Sequence, residues 1–205
     1  MLAIVDYGAG NLRSVAKALA HVGVEPTLTS SGKELLAADA VVLPGVGAAG
    51  DAMRSLERLD LVAPIREYVA SGRPFFGVCL GMQILLSVSE EGGGQPCLDV
   101  VPGRVLRLPD GLKVPQMGWN QVRQTRAHPL FAGIPDDSHF YFVHSYYCAP
   151  ADRALVIGET DYGLAYCSAL AVDNVVATQF HPEKSGEQGL QIYRNFLAFA
   201  HLLPE

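Results

Sequence analysis

An α/β fold on a mostly parallel sheet, with a smaller antiparallel β region, is predicted by three features of this sequence. Short apolar runs alternate with amphipathic ones through the first half, the pattern of βαβ units. Between about Val100 and Tyr166 this gives way to short alternating stretches broken by Pro-Gly, Pro-Asp-Gly and Asp-Tyr-Gly. A last stripe of Leu190, Tyr193, Leu197 and Ala200 reads as a closing helix packed back on the core.

In chain order, residues 2–5 form an apolar strand, and 11–22 a helix whose Val15, Leu19 and Val22 share one face before Gly23 stops it. Residues 41–43 are a second strand, 61–70 a helix ended by Gly72, and 75–78 a third strand running into a helical stretch at 84–88. Residues 90–95, with three consecutive glycines, read as a mobile surface loop. Residues 174–180 form a late strand. No repeat or linker interrupts the 205 residues, so a single domain spanning 1–205 is expected, long enough to bury a core without disulfides or metals.

Composition narrows the function. A hydrophobic fraction of 49% against 18% charged residues excludes disorder for the bulk of the chain. The formal net charge is -6 and no Lys/Arg cluster occurs, which argues against a nucleic-acid partner. No apolar run approaches the roughly 20 residues of a spanning helix, and Leu2-Ala3-Ile4-Val5-Asp6 opens without a basic leader, so a cytoplasmic protein is expected. Cys79, Cys97, Cys148 and Cys167 lack metal-ligand spacing and are read as thiols.

Cys79 carries the strongest chemical signal. It lies where the apolar run Arg73-Pro-Phe-Phe-Gly-Val-Cys passes into Leu-Gly-Met-Gln-Ile-Leu-Leu86, with Gly77 and Gly81 on either side. This G-x-C-x-G is the thiol counterpart of the nucleophile elbow, in which a cramped strand-to-helix turn needs glycines and projects the nucleophile. At a helix start the free N–H groups favour thiolate, and the Leu80 N–H can face an oxyanion. A lone cysteine is more commonly a small core residue; the flanking glycines favour the nucleophile.

A base is available in His181-Pro182-Glu183, at the end of the late strand. Pro182 biases His181 toward extended geometry, and residues i and i+2 of an extended chain point the same way, so Glu183 reaches the imidazole and holds its tautomer. By itself the segment fits a satisfied structural histidine equally well; paired with the elbow it reads as a Cys/His/Glu triad. The turn Leu43-Pro44-Gly45-Val46-Gly47 follows a strand and should open at the same sheet edge as Cys79, where its N–H groups can complete an oxyanion hole. Gly8-Ala9-Gly10 lacks the third glycine of a dinucleotide loop.

With these three motifs in this order the chain resembles the class I, triad-type glutamine amidotransferases. Within them it is similar to the glutaminase subunits of imidazole glycerol phosphate synthases of histidine biosynthesis, through Asp6-Tyr-Gly-Ala-Gly-Asn-Leu-Arg-Ser14, Gly77-Val-Cys-Leu-Gly-Met-Gln83, Pro115-Gln-Met-Gly-Trp-Asn120 and Phe142-Val-His-Ser-Tyr146. Met82 stands where many relatives of other specificity have histidine. The resemblance covers nearly the whole chain.

It implies a flavodoxin-like fold, hydrolysis of glutamine to glutamate and ammonia through Cys79, His181 and Glu183, and no metal or organic cofactor. It implies glutamine binding by Gly45, Val46, Gly47, Leu80, Gln83, Ser145 and Tyr146, and a heterodimer with a (β/α)₈-barrel cyclase that receives the ammonia. Asn11, Arg13, Gln116, Met117, Trp119, Asn120 and Lys184 would face that partner. Read without the resemblance, Trp119 is an ordinary core anchor and Lys184 a solvated charge. A glutaminase serving pyridoxal phosphate synthesis, a cysteine peptidase or deglycase on a related fold, and a catalytically silent binding module are the alternatives.

Overall fold

In a computed structural model, which describes residues 1–203, the alternating first half folds into parallel βαβ units. Strand β1 (Leu2–Val5) leads through helix α1 (Leu12–His21) to β2 (Thr27–Thr29) and helix α2 (Gly32–Ala37). Next come β3 (Ala40–Gly45), helices α3 (Ala49–Arg58) and α4 (Val62–Ala70), β4 (Phe75–Cys79) and the single turn α5 (Leu80–Gln83). Strands β5 (Leu86–Ser89), β6 (Gln95–Pro96), β7 (Val101–Arg107), β8 (Gln116–Gln124), β9 (Ser138–His144), β10 (Tyr146–Pro150), β11 (Val156–Asp161), β12 (Ala165–Val172) and β13 (Val175–Thr178) precede the last helix, α6 (Gly186–Phe199).

The parallel part of the sheet has the order β2-β1-β3-β4-β13, the doubly wound arrangement of flavodoxin-like folds. Beyond β13 the sheet turns antiparallel through β12, β10 and β7, and β11, β8 and β9 branch from β12. Strands of a sheet covered on both faces must be apolar throughout. In β1, Ala3 and Val5 point to one core while Leu2 and Ile4 point to the other; Val41 and Leu43 of β3 alternate with Ala40 and Val42 in the same way. Helices α3 and α4 cover one face with Met53, Leu56, Ile65 and Tyr68, whereas α1 and α6 cover the other with Val15, Leu19, Tyr193 and Phe196. The Phe76 ring of β4 meets Phe196 at 5.0 Å and Tyr193 at 5.9 Å, locking α6 to the strand that ends in Cys79.

Two local expectations are corrected. Residues 84–88 do not form a helix: α5 ends after one turn and residues 86–89 pair with β7 and β6, so strand pairing overrides the local apolar periodicity. Residues 90–95 are not a free loop. Residues 91–93 make a 3₁₀ turn, Gln95 enters β6, and the Glu91 carboxylate accepts from the Ala49 N–H at 2.7 Å at the start of α3. Among the described residues no helix is long and apolar enough to cross a membrane.

Candidate active site

Strands β3, β4 and β13 run side by side and end together, and their carboxyl ends build the site. Gly45 pairs with Cys79 and Thr178 with Val78, so the residues following β13 emerge beside the cysteine. Cys79 itself has φ 54° and ψ -108°, a conformation that side chains rarely adopt and that costs of order 1–3 kcal/mol. The glycines around it are dictated by contact distance. A Cβ on Gly81 would sit 1.8 Å from the Leu43 carbonyl oxygen, and one on Gly77 would lie 3.0 Å from the Gly81 oxygen. A Cβ on Gly45 would meet the Tyr7 hydroxyl at 2.6 Å and Leu80 Cβ at 2.8 Å.

His181 is fixed through its backbone: its N–H donates to the Tyr141 carbonyl of β9 at 3.0 Å, and the Ser185 hydroxyl donates to its carbonyl at 2.7 Å. Its Nδ1 lies 2.7 Å from Glu183 Oε1, as the sequence predicts, but the path differs. His181 is extended, whereas residues 182–184 form a 3₁₀ turn, so the contact closes across a turn and not along a strand. The Glu183 side chain is fully buried. Its Oε1 also accepts from Asn11 Nδ2, and its Oε2 accepts from the Tyr193 hydroxyl at 3.2 Å. Burial acts to raise this carboxyl, yet His181 and Asn11 hold it below the usual carboxylate range.

The opposite ring nitrogen of His181, Nε2, is buried without a hydrogen-bond partner. Burial lowers the affinity of the ring for its proton; the charge on the nearby Cys79 sulfur, with Glu183 behind, outweighs this and raises the imidazole to about 10. The arrangement is therefore a thiol group beside an imidazole that holds its proton tightly and whose other nitrogen is held by a carboxylate. Such a pair can attack a carbonyl carbon and protonate the group that leaves.

A cleft of about 400 Å³ opens over the sulfur, within the range of small-molecule sites. Its lining includes Val46, Gly47, Leu80, Gln83, Ser145 and Tyr146 together with Cys79 and His181. Of the residues expected to bind substrate, Val46, Gly47, Leu80, Gln83, Ser145 and Tyr146 are thus brought together, while Gly45 does not line the cleft and is paired with Cys79 in the sheet. Three contributors were not foreseen. Glu91 reaches the cleft from the segment expected to be mobile. His144 is buried and its ring is pushed down to about 4 by burial, so it is a neutral imidazole whose Nδ1–H donates to the Tyr146 carbonyl at 2.8 Å. Gln179 is completely buried and its Nε2 donates to the Cys79 sulfur at 3.6 Å. The signal for Gln179 was a lone amide at the end of an otherwise apolar strand.

Residues 3–199 match the family described as glutamine amidotransferase class-I. The chain belongs to the class-I glutamine amidotransferases. Among curated relatives, the imidazole glycerol phosphate synthase subunit HisH of Dehalococcoides mccartyi (strain CBDB1) is 54% identical over 200 residues, covering 98% of each chain. The protein of the same name from Methanothermobacter thermautotrophicus is 51% identical, covering 96% of this chain and 98% of its own. A crystal structure of a glutamine amidotransferase aligns with a TM-score of 0.77 at 21% identity over 97% of this chain and 98% of that one. The structure of PurLQS from Thermotoga maritima aligns at 0.76 and 18% identity, covering 97% of both chains. These structural likenesses bear on the fold alone.

In this amidotransferase the residues expected to face a partner divide into three groups. Met117 and Trp119 are 61% and 57% exposed on one face of β8, so Trp119 is no core anchor. The indole meets the Tyr141 ring edge-on at 6.1 Å, and Lys184 Nζ, from a residue that lines the cleft, lies 5.9 Å from the same ring. Arg13 is exposed and lines a neighbouring hollow with Val46 and Lys184.

The alternate residues of β8 point inward, because side chains of a strand alternate between faces. Gln116 is buried and its amide lies 2.9 Å from the Tyr166 hydroxyl; Asn120 is half-buried and donates to the Asp161 carbonyl at 2.8 Å. Asn11 spends its amide on Glu183. Of these three only Gln116 is withdrawn from the surface, its side chain bracing β8 from within; Asn120 and Asn11 are half-buried, and each commits its amide to a hydrogen bond within the chain.

Proposed function

We propose that this chain is a glutaminase subunit in which Cys79, His181 and Glu183 release ammonia from glutamine for a partner subunit. The observation that carries the reading is the line from the buried Glu183 carboxylate through the His181 imidazolium to the Cys79 sulfur, set under a cleft lined by Val46 and Gly47. The identity of the relatives supports imidazole glycerol phosphate synthesis in histidine biosynthesis as the pathway, with a (β/α)₈-barrel cyclase as the partner that takes up the ammonia.

The Cys79 thiolate attacks the side-chain carboxamide carbon, forming the C–S bond as the carbonyl π electrons move to oxygen. N–H groups of residues 45–47 and of Leu80 stabilise the oxyanion. Collapse breaks the C–N bond, and the His181 proton passes to the departing nitrogen, which leaves as ammonia. His181, now neutral, takes a proton from water as the hydroxide adds to the thioester. Breaking the C–S bond returns the thiolate and the imidazolium and releases glutamate. With both Glu183 oxygens engaged by Nδ1, Asn11 and Tyr193, the carboxylate holds and stabilises the imidazolium and does not itself take the proton.

An electrophilic analogue of glutamine tests this reading. It should add one equivalent of mass to the peptide containing Cys79, be excluded by glutamine, and leave Cys79→Ala unmodified. Labelling elsewhere, or labelling indifferent to glutamine, would contradict the assignment.

A further inference from the structure

We propose that Gln179 is a further catalytic residue, whose side-chain amide donates a hydrogen bond to the Cys79 sulfur and stabilises it as the attacking thiolate. The inference rests on Cys79 being the nucleophile. The sheet brings the two together: Thr178 pairs with Val78, and Gln179 leaves β13 beside Cys79 with its nitrogen 3.6 Å from the sulfur.

An amide has two ends of the same shape, so its orientation must follow from its partners. Here it is anchored. The Tyr146 carbonyl can only accept, so the atom of Gln83 at 2.8 Å from it is Nε2. The second N–H of that nitrogen is directed to Gln179 at 3.0 Å, which must therefore present Oε1 and turn its own NH₂ to the sulfur. His144, donating to the same Tyr146 carbonyl, occupies the other lone pair and keeps Gln83 from slipping. Both glutamines are buried, and Gln179 is completely so.

A donor aimed at an anion is a strong interaction, the more so when the donor itself is shielded from water. His181 loses and regains its proton within each turnover, whereas an amide cannot, so Gln179 gives the sulfur a partner that is present at every step. Gln179 is thus held as a fixed donor by a chain of amides that begins at a backbone carbonyl.

The test is the pH dependence of Cys79 alkylation by iodoacetamide in the full chain, read by mass spectrometry of the peptide containing residue 79, in wild type, Gln179→Met and Gln179→Glu. Tyr7, Cys148 and His181, the titratable groups around the sulfur, are unchanged in both variants. Loss of the donor should move the alkylation midpoint to higher pH and slow the reaction at neutral pH roughly tenfold in Gln179→Met, the size of one charge-assisted hydrogen bond. The shift should be larger in Gln179→Glu, which keeps the shape and the acceptor toward Gln83 but sets a negative group against the sulfur. If the methionine variant does not fold, the glutamate variant decides. A wild-type profile in a variant with an unchanged melting transition overturns the proposal while leaving Cys79 as nucleophile. Full glutaminase activity in Cys79→Ala would instead remove the reading on which it rests.

Discussion

Asn11 and Glu183 lie 172 residues apart and are joined by a hydrogen bond from Asn11 Nδ2 to the same carboxylate oxygen that receives His181 Nδ1. The backbone of Asn11 has φ 74°, so the turn before α1 is shaped to deliver this amide. Asparagine tolerates that left-handed conformation better than most residues. Asn11→Gly keeps the backbone and deletes the amide. It should slow partner-stimulated glutamate release about tenfold or more, from the roughly 1.5–3 kcal/mol of one hydrogen bond to a charged group. Asn11→Asp, which opposes a second carboxylate to Glu183, should be slower still. Steady-state kcat of the two variants checks the order.

The charge on His181 depends on Cys79. Burial lowers the ring and the sulfur raises it to about 10, so in Cys79→Ala the balance tips and the imidazole should titrate well below its wild-type midpoint. Ring proton shifts in NMR spectra report this directly. Since the folded value lies above the ordinary 6.5 of histidine, the stabilisation is full below about pH 6.5 and is lost as pH rises through about 10. Denaturant midpoints of wild type should therefore fall relative to those of the variant across that window. A constant difference would contradict the coupling.

Gly45 and Gly47 have different reasons to be glycine. A side chain at 45 meets Tyr7, Leu80 and the Gly81 nitrogen, whereas 47 has open space but φ 90°. Gly45→Ala should cost about 1–3 kcal/mol of stability through overpacking and abolish most glutaminase activity by displacing Leu80 beside the nucleophile. Gly47→Ala should cost about 1 kcal/mol, from backbone strain alone. Urea unfolding of the two variants separates the mechanisms.

Trp119 and Met117 form an exposed apolar face on β8. If that face is covered by the partner, Trp119→Ala should change the stability of the isolated chain by no more than about 0.5 kcal/mol while weakening the complex tenfold or more. Calorimetric titration with the cyclase, beside a melting curve of the free chain, checks both halves.

Much of this site was legible because its chemistry is local in sequence. Gly77-Val-Cys-Leu-Gly81 encodes its own turn, His181 and Glu183 are two residues apart, and the wall at 45–47 follows a strand that any apolar pattern would find. What could not be read depends on long-range register. Nothing near Asn11 says that its amide meets Glu183, and nothing near Gln179 says that Val78 is paired one position away. The burial of Gln116 beside the exposed Met117 follows only from which face of β8 the sheet covers. Helix α2 is six residues long and buries only Leu35, too little for an apolar stripe, whereas α3 carries a legible one in Ala49, Ala52, Met53 and Leu56. The same tertiary pull put residues 86–88 of the expected helical stretch 84–88 into a strand.

The most direct test of the whole account is glutamate release from glutamine by wild type and Cys79→Ala, each alone and with the purified cyclase subunit and its ribonucleotide ligand. Release that rises with the cyclase and vanishes in the variant is the predicted result. Release that survives without Cys79 would contradict the nucleophile, and release indifferent to the cyclase would contradict the partner.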